Sequence, residues 1–323
     1  MTGTSEPSPQ LVERIHREVA KAWPGAEVSS VAVLPGGHSG LTYRVATDHG
    51  DLVVKAVPEG VKPIGRHDML RQAEILTALG PTDVPTPEVV VMDRGEPAWF
   101  AMTLVPGQSL EPTLDDPAVD PELAAARMRR AAEIMPVLHA VPTGLLPGEQ
   151  QALGPADELA RWAKTMGAVP PDYVDGAQDF HWALSSSVPA GIEPTLVHGD
   201  YRLGNMLCDG TEPRALIDWE IWSVGDPRVE IGWFLVFADG TNFPGVGRDV
   251  PGLPSAAELT ELCSGGTVPE AQTWFNALGR YKMAAIMGHN LRRHREGRHH
   301  DPAQEQLPAT IKRLITTGRA LLD

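Results

Sequence analysis

The chain has 323 residues, enough to bury a substantial core and to form two lobes. It is 42% hydrophobic and 21% charged, with 30 Pro and 32 Gly, the composition of a folded, loop-rich globular protein rather than a disordered one. A formal net charge of -15 argues against binding to a phosphate backbone, because a nucleic-acid surface needs an excess of Lys and Arg.

In chain order, Leu11, Ile15 and Val19 recur at helical spacing and predict an amphipathic helix from about Pro9 to Trp23. Three short runs rich in β-branched and apolar residues follow, Val28 to Leu34, Leu41 to Thr47 and Leu52 to Val57. PGGHSG separates the first two and His49-Gly50 the last two, which reads as an antiparallel meander. A helix from about His67 to Leu79 places Ala73, Leu76 and Leu79 on one side, and two more strands follow, Glu88 to Asp93 and Trp99 to Val105. Val105-Pro106-Gly107 breaks the last strand, and the pattern beyond it is mainly helical. The expectation is an α+β chain of two lobes, a sheet lobe over residues 1–105 with an N-terminal helix and one lobe helix, and a larger helical lobe over 106–323. Asp120-Pro121, a capping residue before Pro at the first helical position, opens a long helix. DELARWAKTM carries another, and Leu307, Ile311 and Leu314 mark an amphipathic tail helix. Only Cys208 and Cys263 are present, without CxxC spacing. With no basic, apolar leader and no apolar run of about 18 residues, the reading is a cytoplasmic protein without a membrane span.

The chemistry concentrates in LVHGDYRLGNML, residues 196–207. Asp200 and Asn205 stand at the spacing D-x-x-x-x-N, and Asp218 follows thirteen residues after Asn205 at the end of the apolar ALID. Phosphoryl transfer needs a carboxylate to orient and deprotonate the attacking hydroxyl, and a metal to neutralise phosphate charge. Asp200 is the candidate base; Asn205 and Asp218 supply hard oxygen ligands suited to magnesium. Arg202 could turn its guanidinium toward the transferring phosphoryl group or form a salt bridge near Asp200, and both uses stay open. His198 reads as a packed histidine bonded to backbone rather than a catalytic one. Lys55 interrupts the apolar strand VVKAV and can be presented on one side of a sheet. Gly36, Gly37 and Gly40 permit close backbone approach.

VHGDYRLGNML, then ALIDWE, then GDPRVEIGWF resembles the aminoglycoside phosphotransferase and choline kinase-like family, whose fold is similar to that of protein kinases. The match runs over about residues 30 to 240, and its outline is nearest the branch related to the kinase domains found with acyl-CoA dehydrogenases. PGGHSGLTYRV corresponds to the phosphate-covering hairpin, VVKAV to the nucleotide-lysine strand and FAMTLVPG to the hinge. The resemblance implies ATP as donor, Asp200 as catalytic base with Arg202 beside it, and Asn205 and Asp218 as magnesium ligands. It further implies Lys55 on the α- and β-phosphates, Gly37, Ser39 and Gly40 in the covering loop, Met102 behind the adenine, and Thr103 and Val105 offering it backbone groups. The family's acidic partner for Lys55 falls on Gln72, while Glu74 lies about 200° around the helix. Either Gln72 makes a neutral bond to Lys55, or a shifted helix lets Glu74 pair.

GHSG is no nucleophile elbow, because Leu41 stands where a Gly is required, and the loop lacks the Gly-Lys-Ser/Thr of a P-loop. His289, His294, His299 and His300 alternate with arginines, the pattern of a basic helix end rather than a metal cluster. Trp219, Trp222 and Trp233 read as core or wall residues, and Glu220 as structural or as a contact to a second metal or the substrate. The expected function is ATP- and magnesium-dependent transfer of the γ-phosphate to a hydroxyl of a small molecule, such as an aminoglycoside-like antibiotic, a sugar, an amino alcohol or a hydroxyacyl metabolite. The competing reading is a catalytically silent pseudokinase that binds nucleotide or a partner. Neither nucleic acid nor membrane is an expected partner.

Overall fold

The computed structural model describes residues 6–34, 41–115 and 120–323. Contacts divide the chain into two compact units: Met1–Gly107, Gly144–Glu149 and Arg214–Ile221 form the first, and Gln108–Thr143, Gln150–Pro213 and Trp222–Asp323 the second.

The first unit is built on a five-stranded antiparallel sheet of β1 (Val28–Val33), β2 (Leu41–Thr47), β3 (Leu52–Ala56), β4 (Val89–Asp93) and β5 (Trp99–Thr103). The order is β1-β2-β3-β5-β4, so the meander of the first three strands is extended by β5, with β4 at the edge. Helix α1 (Pro9–Ala22) starts at Ser8, whose hydroxyl accepts from the Leu11 N–H at 3.3 Å. Its buried stripe of Leu11, Ile15 and Val19 packs into one core with Tyr43, Val45, Leu52, Val54 and Ala56. Each such aliphatic side chain contributes about 1.5–3 kcal/mol by leaving water. Because side chains alternate along a strand, Leu52, Val54 and Ala56 face α1 while Val53 and Lys55 point to the other face. There Val53 lies opposite Met102, and Lys55 opposite Phe100. Helix α2 (Met69–Leu79) is capped by Asp68, whose carboxylate accepts from the Arg71 N–H at 3.0 Å, and it buries Met69, Gln72, Ala73, Ile75, Leu76 and Leu79. The helix begins two residues later than its apolar pattern suggests, since Gly65–His67 form a separate 3₁₀ turn.

The second unit is mainly helical: α3 (Pro121–His139), α4 (Pro155–Met166), α5 (Ala177–Ser186), α6 (Arg228–Phe237), α7 (Ala256–Cys263), α8 (Gln272–Arg295) and α9 (Leu307–Ala320). Asp120 caps α3, accepting from the Glu122 N–H at 2.9 Å, with Pro121 at its start. Short strand β6 (Thr195–Val197) pairs antiparallel with β9 (Ser223–Gly225), and β7 (Met206–Asp209) also lies in this unit, whereas most of β8 (Glu212–Leu216) belongs to the first. Strands β7 and β9 escape the sequence pattern because three or four residues are too few for alternation to register.

Every residue of α6 is buried, as expected of a helix apolar all round. It crosses α8 through two glycines. A Cβ on Gly232 would lie 2.2 Å from the Phe275 carbonyl oxygen, and one on Gly279 would lie 2.4 Å from the Gly232 carbonyl oxygen. The N-terminal end of α6 is fixed by Arg228, buried with Asp226 at 2.7 Å and donating to the Glu270 and Ala190 carbonyls, with its guanidinium over Phe275. With its donors so occupied, the charge of Arg228 is compensated, which a buried ion requires. The last turn of α8 carries Arg292, Arg293, His294 and Arg295, a basic end that complements the helix dipole. Among the described residues, no helix is long and apolar enough to cross a membrane.

Candidate active site

In the first unit, Lys55 leaves β3 with its Nζ 2.9 Å from Asp218 Oδ1 and 3.2 Å from Gln72 Oε1. The lysine side chain is 12% exposed and Asp218 34%. Of the two possible helix partners the structure selects Gln72, buried at 2%. Glu74 faces outward and pairs with Arg94 at 3.0 Å. The helix phase decides this: Gln72 lies on the packed side with Ala73 and Leu76, and Glu74 does not. Asp218 adopts a left-handed backbone, φ 69°, a conformation Asp tolerates better than most residues. Trp219 beside it is buried and donates from Nε1 to the Leu216 carbonyl at 2.9 Å. Met102, Phe100, Gln72, Lys55, Asp218 and Trp219 line one small pocket of this unit. The Thr103 N–H is spent on the Glu88 carbonyl at 2.9 Å, which leaves the Thr103 carbonyl as the group it could offer a ligand. Val105 follows in the loop after β5. Gly37, Ser39 and Gly40 lie outside the described residues.

In the second unit, β6 ends at Val197 and the chain turns sharply through Gly199, φ 86°. This conformation is open to Gly and strained for residues with a side chain. Buried Glu230 of α6 holds the turn by accepting the His198 N–H at 3.1 Å and the Gly199 N–H at 2.8 Å. His139 approaches the same carboxylate at 3.3 Å. Burial alone would raise the Glu230 ionisation, but the His139 hydrogen bond, the electrostatic attraction of His139 and the Gly199 N–H outweigh it, and the carboxylate stays below its usual range. His198 is fully buried and accepts the Asp200 N–H on Nδ1 at 3.2 Å, as the packing reading expects.

Both oxygens of Asp200 are engaged. Oδ1 accepts from Trp233 Nε1 at 2.9 Å; Oδ2 accepts from Asn205 Nδ2 at 2.7 Å, with Arg202 Nε at 3.4 Å. The five-residue spacing now has a geometric reason. Leu203–Asn205 form a 3₁₀ turn, closed by the Asn205 N–H on the Arg202 carbonyl at 3.0 Å, that folds the Asn205 amide back onto Asp200. Since Asn205 Nδ2 also donates to the Asp200 carbonyl at 2.8 Å, both interactions use its nitrogen. Its Oδ1 is thereby oriented as a hard acceptor. Arg202 takes the salt-bridge geometry, between Asp200 and, at 3.6 Å, Glu111 Oε2. Asp200, Arg202 and Asn205 are thus brought together in one unit, and Lys55, Met102 and Asp218 in the other.

Four residues of this arrangement were not singled out by sequence: Trp233 as a donor to Asp200, Glu230 as the clamp on the turn, Lys282 and Glu111. Only the position of Glu230 and Trp233 in GDPRVEIGWF hinted at the first two. Glu111 is 1% exposed and accepts the Gly204 N–H at 3.1 Å. Burial pushes its ionisation up to about 8, opposed by Arg202 and the Gly204 N–H. Arg202 at 3.6 Å is too distant for a hydrogen bond, so burial prevails. In the unfolded chain the group ionises near 4.5. Between these values the folded chain binds the extra proton, so its contribution to stability falls as pH rises from about 4.5 to about 8. Glu111→Gln keeps an acceptor for Gly204 but cannot ionise. Its stability advantage over the parent should grow across that window, reaching on the order of a few kcal/mol at about pH 8; urea midpoints at about pH 5 and pH 8 read the difference.

A family profile described as "Phosphotransferase enzyme family" matches residues 30–257. Curated relatives include mouse acyl-CoA dehydrogenase family member 10, 25% identical over 78% of this chain and 25% of that protein. Human acyl-CoA dehydrogenase family member 11 is 23% identical over 80% of this chain and 35% of that protein. The chain therefore spans about a quarter to a third of these relatives. Among solved structures, a Ralstonia eutropha JMP134 protein described as a candidate aminoglycoside phosphotransferase superposes with TM-score 0.78 at 20% identity, covering 96% of this chain and 98% of that one. A GDP and kanamycin complex of the aminoglycoside phosphotransferase APH(2")-IIIa gives 0.66 at 18% identity, covering 95% and 98%. A Mesorhizobium loti protein of the choline/ethanolamine kinase family gives 0.61 at 18%, covering 97% and 95%. These likenesses show a kinase-like α+β fold.

Proposed function

Because the chain belongs to the phosphotransferase enzyme family, we propose that it transfers the γ-phosphate of ATP to a hydroxyl group of a small molecule, in the cytoplasm and with magnesium. The observation that carries this reading is the fixation of Asp200, with Trp233 on one oxygen and Asn205 on the other while the side chain stays 23% exposed. A carboxylate so held is fixed in place to orient a hydroxyl group, and positioning supplies much of the catalysis in this reaction.

Asp200 orients the acceptor hydroxyl and takes its proton. Lys55, held by Gln72 and Asp218, binds α- and β-phosphate oxygens. Met102 backs the adenine, to which the Thr103 carbonyl and the Val105 backbone offer hydrogen bonds; Gly37, Ser39 and Gly40 cover the phosphates. Arg202 steadies the base and is available to the transferring phosphoryl group. Magnesium suits the donors proposed for it, the oriented amide oxygen of Asn205 and the Asp218 carboxylate, since both are hard oxygens. When bound, it neutralises phosphate charge. The same fold in proteins that bind kanamycin or belong to the choline/ethanolamine kinase family supports a small hydroxylated acceptor. The two buried free thiols, Cys208 and Cys263, suit a reducing compartment.

The test is substrate-dependent ADP release with magnesium across antibiotics, sugars, amino alcohols and hydroxyacyl compounds. Lys55→Met is expected to raise the ATP KM about tenfold or more, because a charge-assisted phosphate contact is lost; unchanged KM values would remove Lys55 from the nucleotide site. One observation favours a second reading, a nucleotide-binding module without turnover: the neutral Gln72 beside Lys55. Nucleotide binding with no ADP release on any acceptor would select it.

A further inference from the structure

We propose that Lys282 of α8 is a positioning residue for Asp200, holding the Gly199 turn and seating Trp233 against the carboxylate. The idea goes beyond the phosphotransferase reading but rests on it for its catalytic consequence. Lys282 is 3% exposed and, among the described residues, no carboxylate comes within ion-pair distance of it. Its Nζ donates instead to the Gly199 carbonyl, on the turn that Glu230 grips through the N–H groups. The same ammonium lies 3.8 Å from the centre of the Trp233 ring and 5.0 Å from that of Trp162.

These contacts form a chain. The cation sits over the face of the indole whose N–H, in the ring plane, donates to Asp200 Oδ1 at 2.9 Å. A cation over the ring draws electron density from it and makes its N–H a stronger donor, and the buried setting strengthens both interactions. Trp162, the second wall, is itself fixed by donating to Glu158 Oε2 at 3.0 Å. The charged groups facing Lys282 are Asp200, Glu158 and Glu230, which favour its protonated form, and Arg161, which opposes it. Burial pulls its ionisation down to about 8, so it is cationic at neutral pH. An apolar side chain of the same length would fill the space at no desolvation cost but would leave the Gly199 carbonyl without its donor and Trp233 without its cation.

Lys282→Met separates packing from charge, because it preserves most of the stem. The Trp233 indole N–H resonance, identified by its loss in Trp233→Phe, reads the contact to Asp200 directly. In Lys282→Met this resonance is expected to move upfield and its proton to exchange at least about tenfold faster. Turnover of magnesium-ATP with the acceptor from the panel, or with water, is expected to fall about thirtyfold with ATP KM unchanged, and Lys282→Arg to recover part of it. Should Lys282→Met fail to fold, Lys282→Gln decides, since it keeps a donor for the Gly199 carbonyl but places no cation over Trp233; the same upfield shift and faster exchange are expected. A folded Lys282→Met or Lys282→Gln with parental indole signal and kcat overturns the proposal. If the parent turns over nothing while the indole behaves as expected, the phosphotransferase reading falls and the placement of Lys282 stands.

Discussion

Asp200→Ala is expected to lower phosphoryl transfer by at least about three orders of magnitude while leaving ATP affinity within a few-fold, the signature of a lost general base. Alanine is the better replacement because of the local hydrogen bonds. An Asn at this position would turn its amide nitrogen toward either Trp233 Nε1 or Asn205 Nδ2, and both are donors. Asp200→Asn therefore disturbs Asn205 as well as removing the base, whereas alanine releases both partners without a donor–donor conflict. ADP release beside nucleotide titration by fluorescence separates the effects. Equal losses in turnover and binding would mean that Asp200 supports the nucleotide site rather than the chemistry.

Gly232→Ala is expected to destabilise the second unit by more than about 3 kcal/mol, or to prevent its folding, as overpacking against rigid backbone does. The added methyl would meet the Phe275 carbonyl oxygen at 2.2 Å and the Asn276 nitrogen at 3.1 Å, both backbone atoms that no rotamer change can move. Separating α6 from α8 would also move Trp233, the neighbour of Gly232 in sequence and the donor to Asp200. Gly144→Ala is the control: nothing lies within 4 Å of the place its methyl group would take, and its φ is not left-handed, so its thermal midpoint should match the parent's. A Gly232→Ala midpoint equal to that of the control would show that the helices separate at little cost.

The identity of the fold was legible in LVHGDYRLGNML and ALIDWE because a short loop encodes its chemistry in sequence order. Asp200 and Asn205 meet through a turn closed within five residues, and Lys55 is placed by the alternation of one strand. The apolar stripe of α1, the strands of the first sheet and the capped start of α3 were readable for the same reason, each being set by contacts within its own element. Strands β7 and β9 are too short to carry a period of their own.

The choice between Gln72 and Glu74 shows where local reading ends. Both lie on one helix, and only the side that α2 buries selects Gln72 for Lys55. Trp233, Glu230, Glu111 and Lys282 are further from view, since their roles join segments distant in the chain, as in the Gly204–Glu111 bond across 93 positions and the Lys282–Gly199 bond across 83. By itself the sequence determined the family and marked Asp200 and Lys55 as the candidate base and nucleotide lysine, because such groups are placed by local backbone geometry. Tertiary structure alone decided what holds Asp200 in place, because a buried indole, carboxylate or ammonium acquires its partner only when distant helices pack and exclude the water that would otherwise satisfy it.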